Sequence, residues 1–526
     1  MFNSLMGESM SLNQLHRLHR LNSQTSYPLH SVDATRRIEQ AAAAQLAPHT
    51  LMQRAGLSVA RLACALAPHA QTIWLACGPG NNGGDGLEAA MHLKQWGRNP
   101  VVTWLGDEAR CPPDALLSLH RARQAGVTFV AEPPIVYDFA IDALLGIGQS
   151  KPLAGLIADW LRHMQATAPA VLCVDVPSGL NANTGNYAKT EIAINNIAVQ
   201  AINTWDNCQN TPIFSLSLLT LKPGLFTAHG KDAAGEVWFD DLDIDAEIKT
   251  SEPSAWLLGA DRASLPARLH ASHKGSFGDV AVVGGAAGMT GAALLAGRAA
   301  LHAGAGRVFV ALLDADVTSQ HMVVDPMQPE LMFRSFEALA LREQTVVCGC
   351  GGSDAVRHVL PQVLSQALHL VLDADALNAI AADSSLQTLL LTRSNRGSKH
   401  QISTVLTPHP LEAARLLGMS TSQVQADRLA AAQTLADRFA CVVILKGAGS
   451  VIAAPAGVTP HINASGNAKL ATAGTGDVLA GVVGAVLAAG ETAFSAACIA
   501  TYRHGATADQ WPADQTLTAS GLAQRI

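Results

Sequence analysis

Apolar residues recur at helical spacing through Ala34–Leu46 and Leu51–Leu66, close up into a short run at Thr72–Ala76, and return to helical spacing over Leu87–Trp96. Val101–Leu105 then reads as a strand, Asp114–Ala125 as a helix, and Ile135–Ala143 and Ala170–Val176 as further strands. Strands alternating with helices of about 10–15 residues predict a parallel sheet covered on both faces. The pattern fails at Phe239–Pro253, an acidic and polar run (FDDLDIDAEIKTSEP) ending in proline. It restarts with strands at Val280–Val283, Val308–Leu313, Val346–Val347, Leu370–Leu372, Thr404–Leu406 and Val442–Leu445. Helices are predicted over Thr290–Ala303, Thr421–Phe439 and Asp477–Ala489. The halves share a class but no repeat period, so the pattern points to a fusion rather than a duplication. The expected division is a flexible extension over 1–30, one α/β domain over 31–245 and a second over 254–526.

Composition narrows this picture. A chain of 526 residues exceeds one ordinary core, and 49% hydrophobic with 15% charged residues excludes disorder. Net charge −7 and a pI near 6.2 argue against a nucleic-acid surface. The nine cysteines form no CxxC pair, so neither a disulfide framework nor a zinc site is indicated, and a reducing cytoplasm is the expected compartment. The most apolar stretch, Val478–Ala489, is too short to span a bilayer and predicts a buried helix; no membrane partner is expected. Met1–Tyr27 carries two Leu-His-Arg repeats and lacks the apolar core of a secretion signal.

Two glycine-rich loops carry the candidate chemistry. Cys77–Gly86 (CGPGNNGGDG) and Ala473–Gly481 (AGTGDVLAG) each open an apolar helical pattern. That arrangement aims backbone N–H groups and a helix N-terminus at an anion. In the first half, Asn81-Asn82-Gly83-Gly84-Asp85 adds three side chains with oxygen acceptors. Asp142-Ala-Leu-Leu-Gly146-Ile-Gly148 and Asp175-Val-Pro-Ser178-Gly179-Leu-Asn181 follow at strand ends. Ligands bind at the carboxyl ends of parallel strands, so the three loops should converge. With a later Lys222-Pro223-Gly224, Ser31–Glu236 resembles the NAD(P)H-hydrate epimerase family. The resemblance implies a Rossmann-like fold that interconverts the C6 epimers of hydrated NADH or NADPH. It implies a potassium ion held by Asn82, Asp142 and Ser178, all hard oxygen donors. Asn81, Asn82, Gly83, Gly84 and Asp85, with Gly146, Ile147, Gly148, Gln149, Ser150, Lys151 and Pro152, would hold substrate. Asp175 would be the acid/base at the nicotinamide ring. Read alone, Asp175 also fits a carboxylate capping the next loop, and Asn81-Asn82 a turn. Ile147 stands where the family often has a hydroxyl residue, and Gln53 where glutamate is usual. Asn207–Ser217 (NCQNTPIFSLS) reads as an insertion in place of a short strand.

In the second half, Gly474-Thr475-Gly476-Asp477 supplies an anion hole followed by a carboxylate able to take a proton. Four segments accompany it: Lys274–Gly278 (KGSFG), Asp373–Asn378 (DADALN), Thr407–Glu412 (TPHPLE) and Lys446–Ser450 (KGAGS). Together they resemble the ADP- or ATP-dependent NAD(P)H-hydrate dehydratase family, a ribokinase-like α/β fold, over Ala255–Gln524. The resemblance implies nucleotide on Lys446, Gly447, Ala448, Gly449, Ser450 and Gly476, and hydrate against Ala292, Gly351, His409 and the catalytic Asp477. Magnesium would accompany ADP or ATP. Asp373 and Asp375 equally fit a strand end and a helix cap, and stay outside the catalytic set. Cys350 stands where the family usually has proline.

The expectation is a bifunctional repair enzyme acting on NADHX and NADPHX with ADP or ATP, assembled as a homo-oligomer and without nucleic-acid partners. The alternatives are a small-molecule kinase of the vitamin or sugar type, and a front half that is a non-catalytic binding module.

Overall fold

The computed structural model describes residues 18–149, 151–188, 193–194, 197–198, 211–244, 250–265, 269–313, 324–400, 402–455 and 457–526; side chains are described for these except at 193–194, 197–198 and 394–400. Met1–Arg17, Ser150 and most of the segment around 189–210 therefore lie outside the described residues. The chain divides into two compact units. One comprises residues up to Asn22 with Pro28–Ser254, the other Ser23–Tyr27 with Ala255–Ile526.

In the first unit, Thr72–Cys77 pairs in parallel with Asn99–Trp104 on one side and Phe139–Ala143 on the other. Thr128–Val130 extends one edge, and Val171–Val174, Ile213–Leu218 and Glu236–Asp240 extend the other. Counting from Thr72–Cys77, the order is 3-2-1-4-5-6 with a seventh strand beyond, the Rossmann arrangement. Its strand order reverses between Thr72–Cys77 and Phe139–Ala143, and there a crevice opens. His19–Arg20 closes the far edge, antiparallel to Glu236–Asp240. The central strands are apolar on both faces because helices cover both: Trp74, Leu75, Ala76 and Cys77 are all buried.

In the second unit, seven parallel strands run Met332–Phe333, Arg307–Leu312, Asp279–Gly284, Thr345–Cys348, His369–Leu372, Ser403–Leu406 and Val442–Leu445. Ser450–Ala453 and His461–Asn463 continue antiparallel. Side chains alternate between two cores. Val282 and Val347 enter one, while Val283, Val346 and Cys348 enter the other. The helix Thr475–Ala488 is buried without interruption from Val478 to Leu487, as its unbroken apolar run predicts. Among the described residues no helix is long and apolar enough to cross a membrane.

Three readings of the pattern change. Ile135 is 96% exposed, and the strand begins only at Phe139. Thr421–Phe439 is two helices, broken where Asp427 leaves helical geometry and caps the second through Ala430 N. The stretch read as an insertion contains a core strand, Ile213–Leu218, although its first residues, 207–210, lie outside the described set. Its serines hid it: Ser215 and Ser217 are buried, donating to the carbonyls of Ala234 and Thr220.

Candidate active sites

The loop after Thr72–Cys77 is the first turn of a helix. Gly80 is its N-cap and Asn81–Gln95 its body. A side chain at Gly78 would place its Cβ 1.7 Å from the carbonyl oxygen of Leu144, and one at Gly83 would stand 2.0 Å from that of Gly78. Glycine is therefore what lets the loops from strands one and four touch. Beside them lies a cavity of about 530 Å³, lined by Asn81, Asn82, Asp85, Gly146, Ile147, Gly148, Gln149 and Asp175, and by residues from helix Val32–Ala43 and from the loop at Lys222. Gly83 and Gly84 are buried behind this wall, and Lys151 and Pro152 stand exposed outside it.

Asp142 is the penultimate residue of the fourth strand and is fully buried. Its carboxylate accepts from Ser178 Oγ (2.7 Å), Ser178 N (2.9 Å) and Leu144 N (3.2 Å). No lysine or arginine pairs with it among the described residues, and burial pushes its pKa up. Ser178 Oγ in turn accepts from Leu145 N at 3.0 Å. Asn82 lies against Gly146, and its Nδ2 is buried without a hydrogen-bond partner among the described residues. Asp175 has a left-handed backbone, φ 67°, and its carboxylate is ion-paired with Lys222. Burial, and then the charge of Asp175, raise the pKa of Asp85 and of Glu39 on the same cavity wall. The sequence reading did not place Glu39 or Lys222 in the site: nothing local announces Glu39, and Lys222 entered only as part of the Lys222-Pro223-Gly224 motif, without a role.

In the second unit, Gly474 caps Thr475–Ala488 with φ 88° and places Asp477 in the first turn. The ligand atoms of Asp477, Cys350 and Asp373 lie within 4.8 Å of one another. Burial, and then the charge of Asp373, push the Asp477 pKa up to about 7. Lys446 Nζ bonds Asp373 Oδ1 at 2.6 Å, and it lies 3.3 Å from where a side chain on Gly476 would begin. Asp373 also accepts from Thr407 Oγ1 at 2.8 Å. It stands at the N-cap position of Ala374–Ala382, yet its side chain serves Lys446 and Thr407 instead of the helix.

The turn Gly447–Ser450 is closed by Ser450 Oγ donating to Gly447 O (3.1 Å). Behind it the buried guanidinium of Arg428 donates to the carbonyls of Leu445, Lys446 and Gly449. Gly447 and Ala448 are exposed at its tip. Arg428 opens the helix Arg428–Phe439 and gave no sequence signal. His409 caps Pro410–Leu417 through Nδ1, faces Glu412 through Nε2 (3.2 Å), and is held below its ordinary pKa by burial and Lys446. Ala292 and Gly351 adjoin, a Cβ on Gly351 falling 2.9 Å from that of Ala292. Lys274–Gly278 does not join this cluster. Gly278 packs on the carbonyl of Ala488, at the opposite end of the helix that Asp477 opens, about 16 Å of helix away.

Each unit is thus an open parallel α/β fold with a helix N-terminus and glycine loop at the carboxyl ends of its strands, which is the layout of nucleotide-handling enzymes. Residues 280–526 match the family model described as NAD(P)H-hydrate dehydratase, and residues 48–204 that of the YjeF-related protein N-terminus. The bifunctional NAD(P)H-hydrate repair enzyme of Escherichia coli (strain K12) is 33% identical over 473 residues, 88% of this chain and 85% of that protein. The ADP-dependent (S)-NAD(P)H-hydrate dehydratase of Neisseria meningitidis is 42% identical over 266 residues, 49% of this chain and 86% of that protein. The crystal structure of the Bacillus subtilis ADP/ATP-dependent NAD(P)H-hydrate dehydratase with ATP/Mg2+ is 31% identical, covers 50% of this chain and 92% of that one, and has a TM-score of 0.42. The chain belongs to the family of bifunctional NAD(P)H-hydrate repair enzymes, with a Rossmann-like strand order in its first unit and a parallel α/β second unit.

Proposed function

We infer that the chain performs both halves of NAD(P)H-hydrate repair, epimerising the hydrate at C6 in the first unit and dehydrating it with ADP or ATP in the second. The observation that carries this reading is that each unit retains a charged side-chain cluster suited to its own half-reaction. In the first unit the 530 Å³ cavity has an ion-paired Asp175 on its wall. Epimerisation breaks the C6–O bond as the ring nitrogen lone pair forms C=N⁺, and the hydroxyl leaves as water with a proton. Water then adds on the other face and surrenders a proton. Asp175 is the group we assign to that proton traffic, with Asn81–Asp85 and Gly146–Gln149 holding the substrate.

In the second unit Asp477 removes the proton of the C6 hydroxyl while its oxygen attacks the terminal phosphorus of the nucleotide, whose bridging P–O bond breaks. The phosphate then leaves C6 with the bonding pair, a proton leaves C5, and the ring double bond returns. Lys446 and the N–H groups at Gly474–Gly476 face the anionic phosphoryl group, and His409, Ala292 and Gly351 line the hydrate side. Asp373 holds Lys446 in place. Magnesium brought by the nucleotide would offset phosphate charge, and the carboxylate oxygens beside the loop are donors that suit it.

Asp477 acts as a base only when deprotonated, and its pKa is pushed up to about 7. The dehydration rate should therefore climb roughly tenfold per pH unit below that point and level off about one unit above it. Rates at saturating nucleotide across the range test this, and a flat profile through neutrality would remove Asp477 from the role.

The units are also proposed to work separately. A fragment starting at Lys249 keeps both cores of the second unit and gives up only Ser23–Tyr27, whose Ser26 bonds Asp261 at 2.6 and 3.0 Å. It is expected to be soluble and to dehydrate one epimer only. Aggregation on gel filtration, or equal consumption of both epimers, would count against that division.

A further inference from the structure

We propose that Lys222 is a positioning residue of the epimerase site, holding the Asp175 carboxylate in one orientation; this rests on the reading of Asp175 as the acid/base. Lys222 is fully buried, and its ammonium has three acceptors: Asp175 Oδ1, the Leu218 carbonyl (2.7 Å) and Ser217 Oγ (3.4 Å). Those exhaust its three donors. A flexible lysine is thereby fixed between the ends of two neighbouring parallel strands, Val171–Val174 and Ile213–Leu218.

The effect on Asp175 is asymmetric. Oδ1 accepts from Lys222 and from Leu218 N at 3.3 Å. Oδ2 has no hydrogen-bond partner among the described residues, and the residue lines the cavity. One oxygen is anchored and the other is presented. The left-handed backbone at Asp175 is uncommon for a residue with a side chain, and the surrounding bonds hold it there.

Charge sorting points the same way. Glu39, Asp85 and Asp175 share one cavity wall with one buried ammonium. Of the three, that ammonium hydrogen-bonds Asp175, while burial and then the Asp175 charge raise the pKa of Glu39 and Asp85 against a smaller opposing pull from Lys222 itself. The same ammonium, behind the larger effect of burial, helps keep the adjacent buried His30 neutral, its pKa lowered to about 4. Among the described residues, Asp175 is the one of these three carboxylates that the Lys222 ammonium holds by a hydrogen bond.

The test uses the full chain, purified NADHX epimers, and the enzyme-dependent rate of interconversion. Lys222→Met should lower kcat about 100-fold with KM within about threefold, because a mis-set acid/base affects the chemical step and not uniform binding. Lys222→Arg should restore at least about tenfold of that loss, since it returns the charge with altered reach. Asp175→Asn should be equally slow, and the Lys222→Met/Asp175→Asn double variant no slower than Asp175→Asn alone, as for residues acting as a unit. Wild-type kcat in Lys222→Met, or multiplied losses in the double variant, would overturn the proposal while leaving Asp175 in place. An active Asp175→Asn would instead overturn the underlying reading. Should Lys222→Met fail to fold, Lys222→Gln carries the same expectation, and wild-type kcat there overturns the proposal equally.

Discussion

Asp477→Ala is expected to abolish nucleotide-dependent recovery of NADH absorbance while enzyme-catalysed epimerisation stays near wild type. A positioned base contributes typically ~10²–10⁴-fold, so the loss should reach at least the lower end of that range. The geometry makes the experiment clean. Asp477 is half-buried in the first turn of a helix whose remaining length is core, and alanine is the best helix former. Its folded-state pKa is raised to about 7, so the protonated form is favoured by folding and the ionised form carries a penalty. That stabilising share of the proton is present at low pH and disappears as pH rises through about 7. Above that pH, alanine removes a half-buried carboxylate whose ionised form burial and the Asp373 charge disfavour, and the variant should melt no lower than wild type at pH ~8. Activity loss without loss of thermal stability separates catalysis from folding. A variant retaining more than about a tenth of the dehydration rate would exclude Asp477 as the base.

What could be read along the chain was whatever depends on neighbours in sequence. Apolar runs buried on both faces announced the central strands of both units, valine-rich in the second, and the glycine loops announced that a helix follows each. The helix after Cys77 begins at Asn81, six residues before its apolar spacing does, because the first turn is built from asparagine and glycine that face the cavity and the adjoining loop. The short edge strand Thr128–Val130 is exposed and carries little pattern. Ile213–Leu218 was misread because alternating serine and leucine looks half-solvated, whereas local carbonyls satisfy both serines inside the fold.

The contacts that sequence could not supply are those between residues far apart along the chain. Lys446 meets Asp373 across 73 positions, Lys222 meets Asp175 across 47, and Arg428 grips the carbonyls of a loop 17–21 residues on. A lysine in a KPG or KGAGS segment is indistinguishable from a surface lysine until topology brings a buried carboxylate to it. Asp373 was weighed as a helix cap on local grounds, and it occupies the cap position. Its side chain, however, answers to strand ends that only the sheet order brings together.

Crystals of the protein grown with thallium or rubidium are expected to show an anomalous peak among Asn82, Asp142 and Ser178, and Asp142→Ala should erase it. The argument begins with Asp142, a fully buried carboxylate with three hydrogen-bond donors and no cationic side chain beside it among the described residues. Such a group keeps its charge only with compensation, and the burial that raises its pKa is the cost a bound cation would offset. Asn82 offers a second observation. Its amide leaves Nδ2 buried and unpartnered among the described residues, and turning the amide would present the oxygen there instead. Ser178 Oγ bridges Asp142 and the Leu144–Gly146 turn. Oxygen donors with one formal charge suit a potassium-sized monovalent ion; zinc calls for softer ligands and calcium for more carboxylates. The ion would anchor the Asp142–Gly148 loop beside the substrate and screen the phosphates from Asp142. Asp142→Ala should accordingly slow epimerisation at least about tenfold while leaving dehydration intact, which dependence on added potassium would report independently of the crystal. Absence of a peak at saturating thallium, with potassium-independent epimerisation, would mean that Asp142 holds only the loop through Ser178 and that the cavity binds its substrate without an ion.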